Sequence, residues 1–166
     1  MVDIQTVSIA IASASVVVGV IYYVWQIRHQ TRMRKTDLIV RITPWLNISP
    51  KEMMENANTV MTSEYKDCDD FVQKYGSLFS GEPVANAVRM LLNWAEGVGM
   101  LLKRNLVDID IVSDAYGVIV PAFWEKVKPL VEGYRKETTN PRWWEYLEYL
   151  YNEVKEREQQ QASKKA

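Results

Sequence analysis

The chain carries two different hydrophobic patterns. From Val7 to Ile27 the run VSIAIASASVVVGVIYYVWQI holds no charged side chain, and about twenty apolar residues are what a helix needs to cross roughly 30 Å of hydrocarbon. β-Branched residues are weak helix formers in water. In lipid, however, every backbone N–H and C=O must be satisfied within its own segment, so helix prevails over strand. The run predicts a transmembrane helix.

Beyond it, apolar positions recur at helical spacing. Ser49-Pro50-Lys51-Glu52 combines a capping serine, a proline at the first helical position and a glutamate three residues after the cap, and predicts a helix to about Thr62. Asp67 or Asp69 caps a short successor ending near Gly76. Gly81-Glu82-Pro83 opens the central helix, along which Val84, Val88, Leu91, Ala95, Val98 and Leu102 follow the helical period. Asp108 caps a stretch that is helical by pattern from Ile109 to about Lys136 and that Pro121 and Pro129 should kink or divide. Asn140-Pro141 repeats the cap-then-proline signal ahead of a stripe of Trp143, Trp144, Leu147, Leu150, Tyr151 and Val154.

No strand-like alternation competes with these patterns, so the predicted class is all-α: one N-terminal transmembrane helix followed by a small bundle of about five helices. The expected boundaries are residues 1–35 for the membrane helix and its basic flank, 36–48 for a stalk with a hinge at Thr43-Pro44, 49–158 for the helical domain, and 159–166 for a disordered tail.

The charges beside the apolar run orient it. Arg28, His29, Arg32, Arg34 and Lys35 follow it directly, whereas the N-terminal flank carries only Asp3 and the amino terminus. The positive-inside bias puts the N-terminus outside the cell membrane and the helical domain in the cytoplasm. Tyr22, Tyr23 and Trp25 form an aromatic belt and, with Arg28, Arg32, Arg34 and Lys35, an interfacial anchor. A cleaved signal peptide is the competing reading, through the small residues Ala12-Ser13-Ala14, but the run lacks a basic lead and stays apolar past them. Ser8, Ala12, Ser15 and Gly19 fall on one helix face, and small faces let helices pack closely in lipid. The expected partners are therefore the lipid bilayer and a protein partner or second copy held through the span.

Composition narrows the chemistry. A chain of 166 residues with one predicted span leaves room for one core, and six Trp and nine Tyr supply an aromatic one. One cysteine, Cys68, excludes an internal disulfide, and one histidine, His29, excludes a histidine-pair metal site; no metal or cofactor is expected. From Pro44 onward 15 lysines and arginines face 19 aspartates and glutamates, a formal net charge of −4. Nucleic acid is not an expected partner of such a surface.

The polar candidates are few. Arg89, Asn93 and Glu96 make a polar stripe beside the apolar one, where a buried Glu96 paired with a cation would form a functional site, against the plainer reading of a satisfied structural carboxylate. Asp108, Asp110 and Asp114 lack the glycine and glutamate of a calcium loop, having Ser113 and Ile119 at those positions. Cys68 lies between Asp67 and Asp69, which should raise its thiol pKa. Gly97-Val98-Gly99 sits inside a predicted helix and makes no phosphate loop.

The order LLNWAEGVGMLLKRNLVDIDIV, then PAFWEKVKPLVEGYR, then PRWWEYLEYLYNEV, between Leu91 and Val154, resembles an uncharacterised domain-of-unknown-function family of short prokaryotic proteins with one N-terminal span and a helical cytosolic domain. Asn93, Trp94, Glu96, Asp108, Trp124 and Leu147 occupy its recurring positions. The resemblance implies topology and fold, and it transfers no catalytic role. The expected function is a membrane-anchored interaction module, an accessory or scaffold subunit and not an enzyme, with a membrane-anchored enzyme using helix-borne carboxylates as the alternative.

Overall fold

A computed structural model describes residues 13–30, 37 and 48–165. The chain divides into two units, Met1–Ile42 and Thr43–Ala166. In the first, residues 13–30 form helix α1, exposed at every position. Among the described residues no helix is long and apolar enough to cross a membrane. The predicted span begins at Val7, and its residues 7–12 lie outside the described residues, as do residues 38–47 of the predicted stalk and hinge.

The second unit is built from α2 (Pro50–Thr62), α3 (Cys68–Tyr75), α4 (Pro83–Lys103), α5 (Ile109–Tyr116), α6 (Ile119–Glu137) and α7 (Glu145–Lys165). All regular structure among the described residues is helical. The starts follow from local chemistry. Ser49 accepts from the Glu52 N–H at 3.2 Å, Asp67 from the Asp70 N–H at 2.9 Å and Asp108 from the Asp110 N–H at 2.9 Å, each satisfying a donor the first turn leaves open. Gly76 ends α3 at φ +73°, a left-handed conformation that suits glycine.

α4 is the central helix, packed against α7 most extensively and against α2 on another side. Val88, Leu91, Ala95 and Leu102 of the predicted stripe are buried. So are Ala85, Leu92 and Gly99, which make a second buried stripe of mostly small residues. Small side chains let backbones approach: a Cβ on Gly99 would stand 2.0 Å from the Tyr146 carbonyl oxygen. α6 packs against α3 and α7, and at Gly133 a Cβ would stand 2.2 Å from the Cys68 Cβ.

Three boundaries differ from the sequence pattern. Among the described residues the bundle has six helices where about five are predicted, because the stretch from Ile109 breaks at Gly117–Val118. Pro121 then falls in the first turn of α6, where no N–H is needed, while Pro129 stays inside the helix. The last helix starts at Glu145, after a turn in which Thr139 and Trp144 take positive φ, 51° and 53°. It also continues to Lys165, across residues expected to be a disordered tail. Gln, Glu, Lys and Ala are good helix formers, so propensity carries the helix past Val154, its last fully buried residue.

Candidate functional site

Arg89, Asn93 and Glu96 do not converge on one another. The Arg89 guanidinium donates to Asn86 Oδ1 at 2.6 Å, one turn back on its own helix. Asn93 Oδ1 accepts from the Trp144 indole N–H at 3.4 Å. Glu96 Oε2 accepts the Leu147 backbone N–H at 2.8 Å, and the Tyr146 N–H also points to this carboxyl. Glu96 is thus an N-terminal cap for α7, supplied by another helix 51 residues earlier. Burial pushes its carboxyl up to about 7, against the two backbone donors, which lower it; Glu145 adds to the rise and Arg135 opposes it.

Arg135 completes this junction. Its Nε donates to the Trp143 carbonyl at 2.9 Å, and its Nη1 pairs with Glu148 at 2.7 Å. Trp144 is buried and Trp143 half-buried, their rings 5.2 Å apart. Two of the three predicted polar residues, Asn93 and Glu96, therefore belong to a joint that fixes the turn before α7, and Arg89 does not.

The other candidates are also engaged. Asp108 caps α5, and Asp110 pairs with Arg157 of α7 at 2.5 Å. Cys68 is buried, and burial, helped by Glu137, Asp69 and Asp67, pushes its thiol up to about 11. Native protein should consequently resist iodoacetamide at pH 7.5 and become labelled only on unfolding. Rapid labelling of the folded chain, seen by intact mass, would refute that burial.

On α1, Ser15 and Gly19 are exposed, and a Cβ added to Gly19 meets nothing within 4 Å. Ser8 and Ala12, the other members of the small-residue face, lie outside the described residues. Tyr22, Tyr23 and Trp25 of the interfacial anchor are exposed, with Trp25 stacked on His29 at 5.8 Å. Arg28 is exposed on the same helix, and Arg32, Arg34 and Lys35 lie outside the described residues.

The sequence pattern does not reveal an apolar groove of about 350 Å³ in the second unit. Met53, Met54, Ala57 and Met61 of α2 form one wall, and Leu91, Trp94 and Ala95 of α4 form another. Tyr116, Val118 and the start of α6, with Ile119, Val120, Ala122 and Phe123, close the third side. Leu91, Ala95, Val120 and Phe123 are at most 7% exposed and make the floor; Met54, Val118 and Ile119 stand at 74%, 83% and 55% and make the rim. Trp94 is held edge-on to Tyr116, ring centroids 5.1 Å apart. The groove brings together three chain segments, none of which signals it alone.

The family model for a domain of unknown function, DUF4760, matches residues 10–154. The chain belongs to the DUF4760 family. The match takes in the whole of α1 and runs into α7 as far as Val154. Neither the curated proteins nor the solved structures yield a match to the chain. Six side chains of this DUF4760 chain have structural tasks: Asn93 and Glu96 hold the turn and start of α7, Asp108 caps α5, Trp94 packs on Tyr116, Trp124 stacks on Tyr151 at 5.7 Å, and Leu147 is fully buried.

Proposed function

We propose that the chain is a single-pass, membrane-anchored interaction module, an accessory or scaffold subunit of a membrane-associated complex with its helical domain on the cytoplasmic side. The observation that carries this reading is the open apolar groove. Its rim keeps Met54, Val118 and Ile119 in solvent, and contiguous apolar surface of this kind marks contact sites. The charge-free run from Val7 to Ile27, with its basic C-terminal flank, supports the anchor. Gly19 on an exposed helix supports packing against a second membrane helix. The enzyme alternative loses its best residue, because Glu96 is engaged by the α7 backbone.

The test is the native mass of the tagged chain, taken gently from its own membranes into nanodiscs, with identification of whatever copurifies. A reproducible heteromer is expected, and replacing Ser15 and Gly19 by leucine should reduce its mass. A monomer or homo-oligomer alone overturns the accessory-subunit reading, and an unchanged mass in the double variant removes the small-residue face from the contact.

A further inference from the structure

We infer, resting on the interaction-module reading for the partner, that Arg89, with Asn86 and Asn56, forms a receptor for a carboxylate, the side chain of an aspartate or glutamate on the partner protein.

Arg89 is a half-buried cation that the fold leaves without a counter-charge. The other half-buried arginines among the described residues are answered, Arg135 by Glu148 and Arg157 by Asp110. Among the same residues Arg89 meets no carboxylate: its Nη2 donates to Asn86 Oδ1 at 2.6 Å, an uncharged acceptor, and its buried Nε has no hydrogen-bond partner. A guanidinium carries five N–H donors and no acceptor, and taking it out of water uncompensated is unfavourable.

The groups around it add donors. Asn86 Nδ2 and, from α2, Asn56 Nδ2 both point at Met90 Sδ, at 3.8 and 3.9 Å, and a thioether is a weak acceptor. Asn56, Asn86 and Met90 are half-buried like Arg89. Two helices thus bring a guanidinium and two amides to one half-covered place that is rich in donors and poor in strong acceptors. A negatively charged group with several lone pairs completes it.

Charge selects the carboxylate. One guanidinium balances one negative charge, and its planar fork matches two carboxylate oxygens. A phosphate group, close to doubly charged at neutral pH, would leave excess negative charge on a module that is already at −4 from Pro44 onward.

Strength selects the source. One ion pair open to solvent changes an affinity by at most about fivefold, too little to hold a free small acid. A carboxylate carried in by a docked protein arrives at high effective concentration, and the docked surface keeps water from the pair. α2 offers both contacts: Met53, Met54 and Ala57 line the groove, and Asn56 belongs to the donor cluster.

The experiment has two arms. In the first, the full chain in nanodiscs is titrated with sodium acetate, and with sodium chloride at equal ionic strength, while the arginine Nε–H resonances are followed by NMR. Arg89 is expected to shift with acetate and not with chloride, by more than the exposed Arg104 and Arg142; no selective shift overturns the carboxylate site. In the second, the heteromer from native membranes is compared with those of Arg89→Gln and Arg89→Lys. Arg89→Gln should hold the partner about tenfold more weakly, or worse. Arg89→Lys keeps the charge without the fork and should recover part of that loss. Both variants should melt within about 2 °C of the parent, because neither breaks an ion pair of the fold. A heteromer indifferent to Arg89→Gln overturns the inference, and so does a melting temperature well below the parent's in both variants, which would mark the guanidinium as structural. A parent chain that forms no heteromer sinks the accessory-subunit reading alone, and the acetate arm still decides the site.

Discussion

Replacing Gly99 with alanine is expected to destabilise the helical module by about 3 kcal/mol, lowering its melting temperature by roughly 10 °C. The substitution favours a helix in isolation, by up to about 1 kcal/mol, so the loss has to come from packing. A methyl group at this position stands 2.0 Å from the Tyr146 carbonyl oxygen and 2.6 Å from its carbonyl carbon. Both are backbone atoms, and no rotamer change moves them. The helices must separate, and α4 against α7 is the most extensive helix contact in the module. Separation also lengthens the bonds from Glu96 to the first turn of α7, adding a polar cost to the apolar one. Thermal melts followed by circular dichroism measure the effect, and a variant melting within about 2 °C of the parent would show that the contact has slack.

The second large effect is at Glu96, and pH exposes it. Its folded pKa is raised to about 7 from 4.5, so between those values the folded chain holds a proton that the unfolded chain has released. Stability is then fully supported at pH 4.5, falls as pH rises toward 7, and levels off above. A shift of this size corresponds to about 3 kcal/mol, which the partial exposure of the carboxyl reduces to about 2 kcal/mol. Glu96→Gln, neutral at all pH and still able to accept from the α7 backbone, should keep the fold and flatten this slope. Glu96→Ala leaves the Leu147 and Tyr146 N–H groups without their acceptor and should cost about 2 kcal/mol. Urea titrations at pH 5 and pH 7.5 separate the cases; an unchanged slope in Glu96→Gln would remove Glu96 as its source.

What the sequence reveals and what it hides divide along chain distance. Ser49, Asp67 and Asp108 could be read as caps because each bonds a backbone N–H two or three residues away. The α7 stripe was legible for the same reason: Leu147, Leu150 and Val154 are large, regularly spaced and fully buried. The second face of α4 escaped detection because Ala85 and Gly99 bury almost no side chain and leave a weak hydropathy signal. Glu96 stands out in the sequence as a polar residue beside the apolar stripe, but its partner is a backbone segment 51 residues on, and only the tertiary fold turns a carboxylate into the cap of another helix. The groove was hidden most thoroughly. Met53, Trp94 and Val118 come from segments that each look like ordinary core, and Val118 becomes conspicuous only when its 83% exposure is known.

α4 serves as a wall common to both places. Leu91, Trp94 and Ala95 face the groove, while Asn93, Glu96 and Gly99, interleaved with them over little more than two turns, seat the turn before α7 and its first residues. A coupling free energy between two places on one element acts equally in both directions. Whatever factor by which groove occupancy tightens the seating of α7, the seating of α7 tightens the groove for its occupant by that same factor.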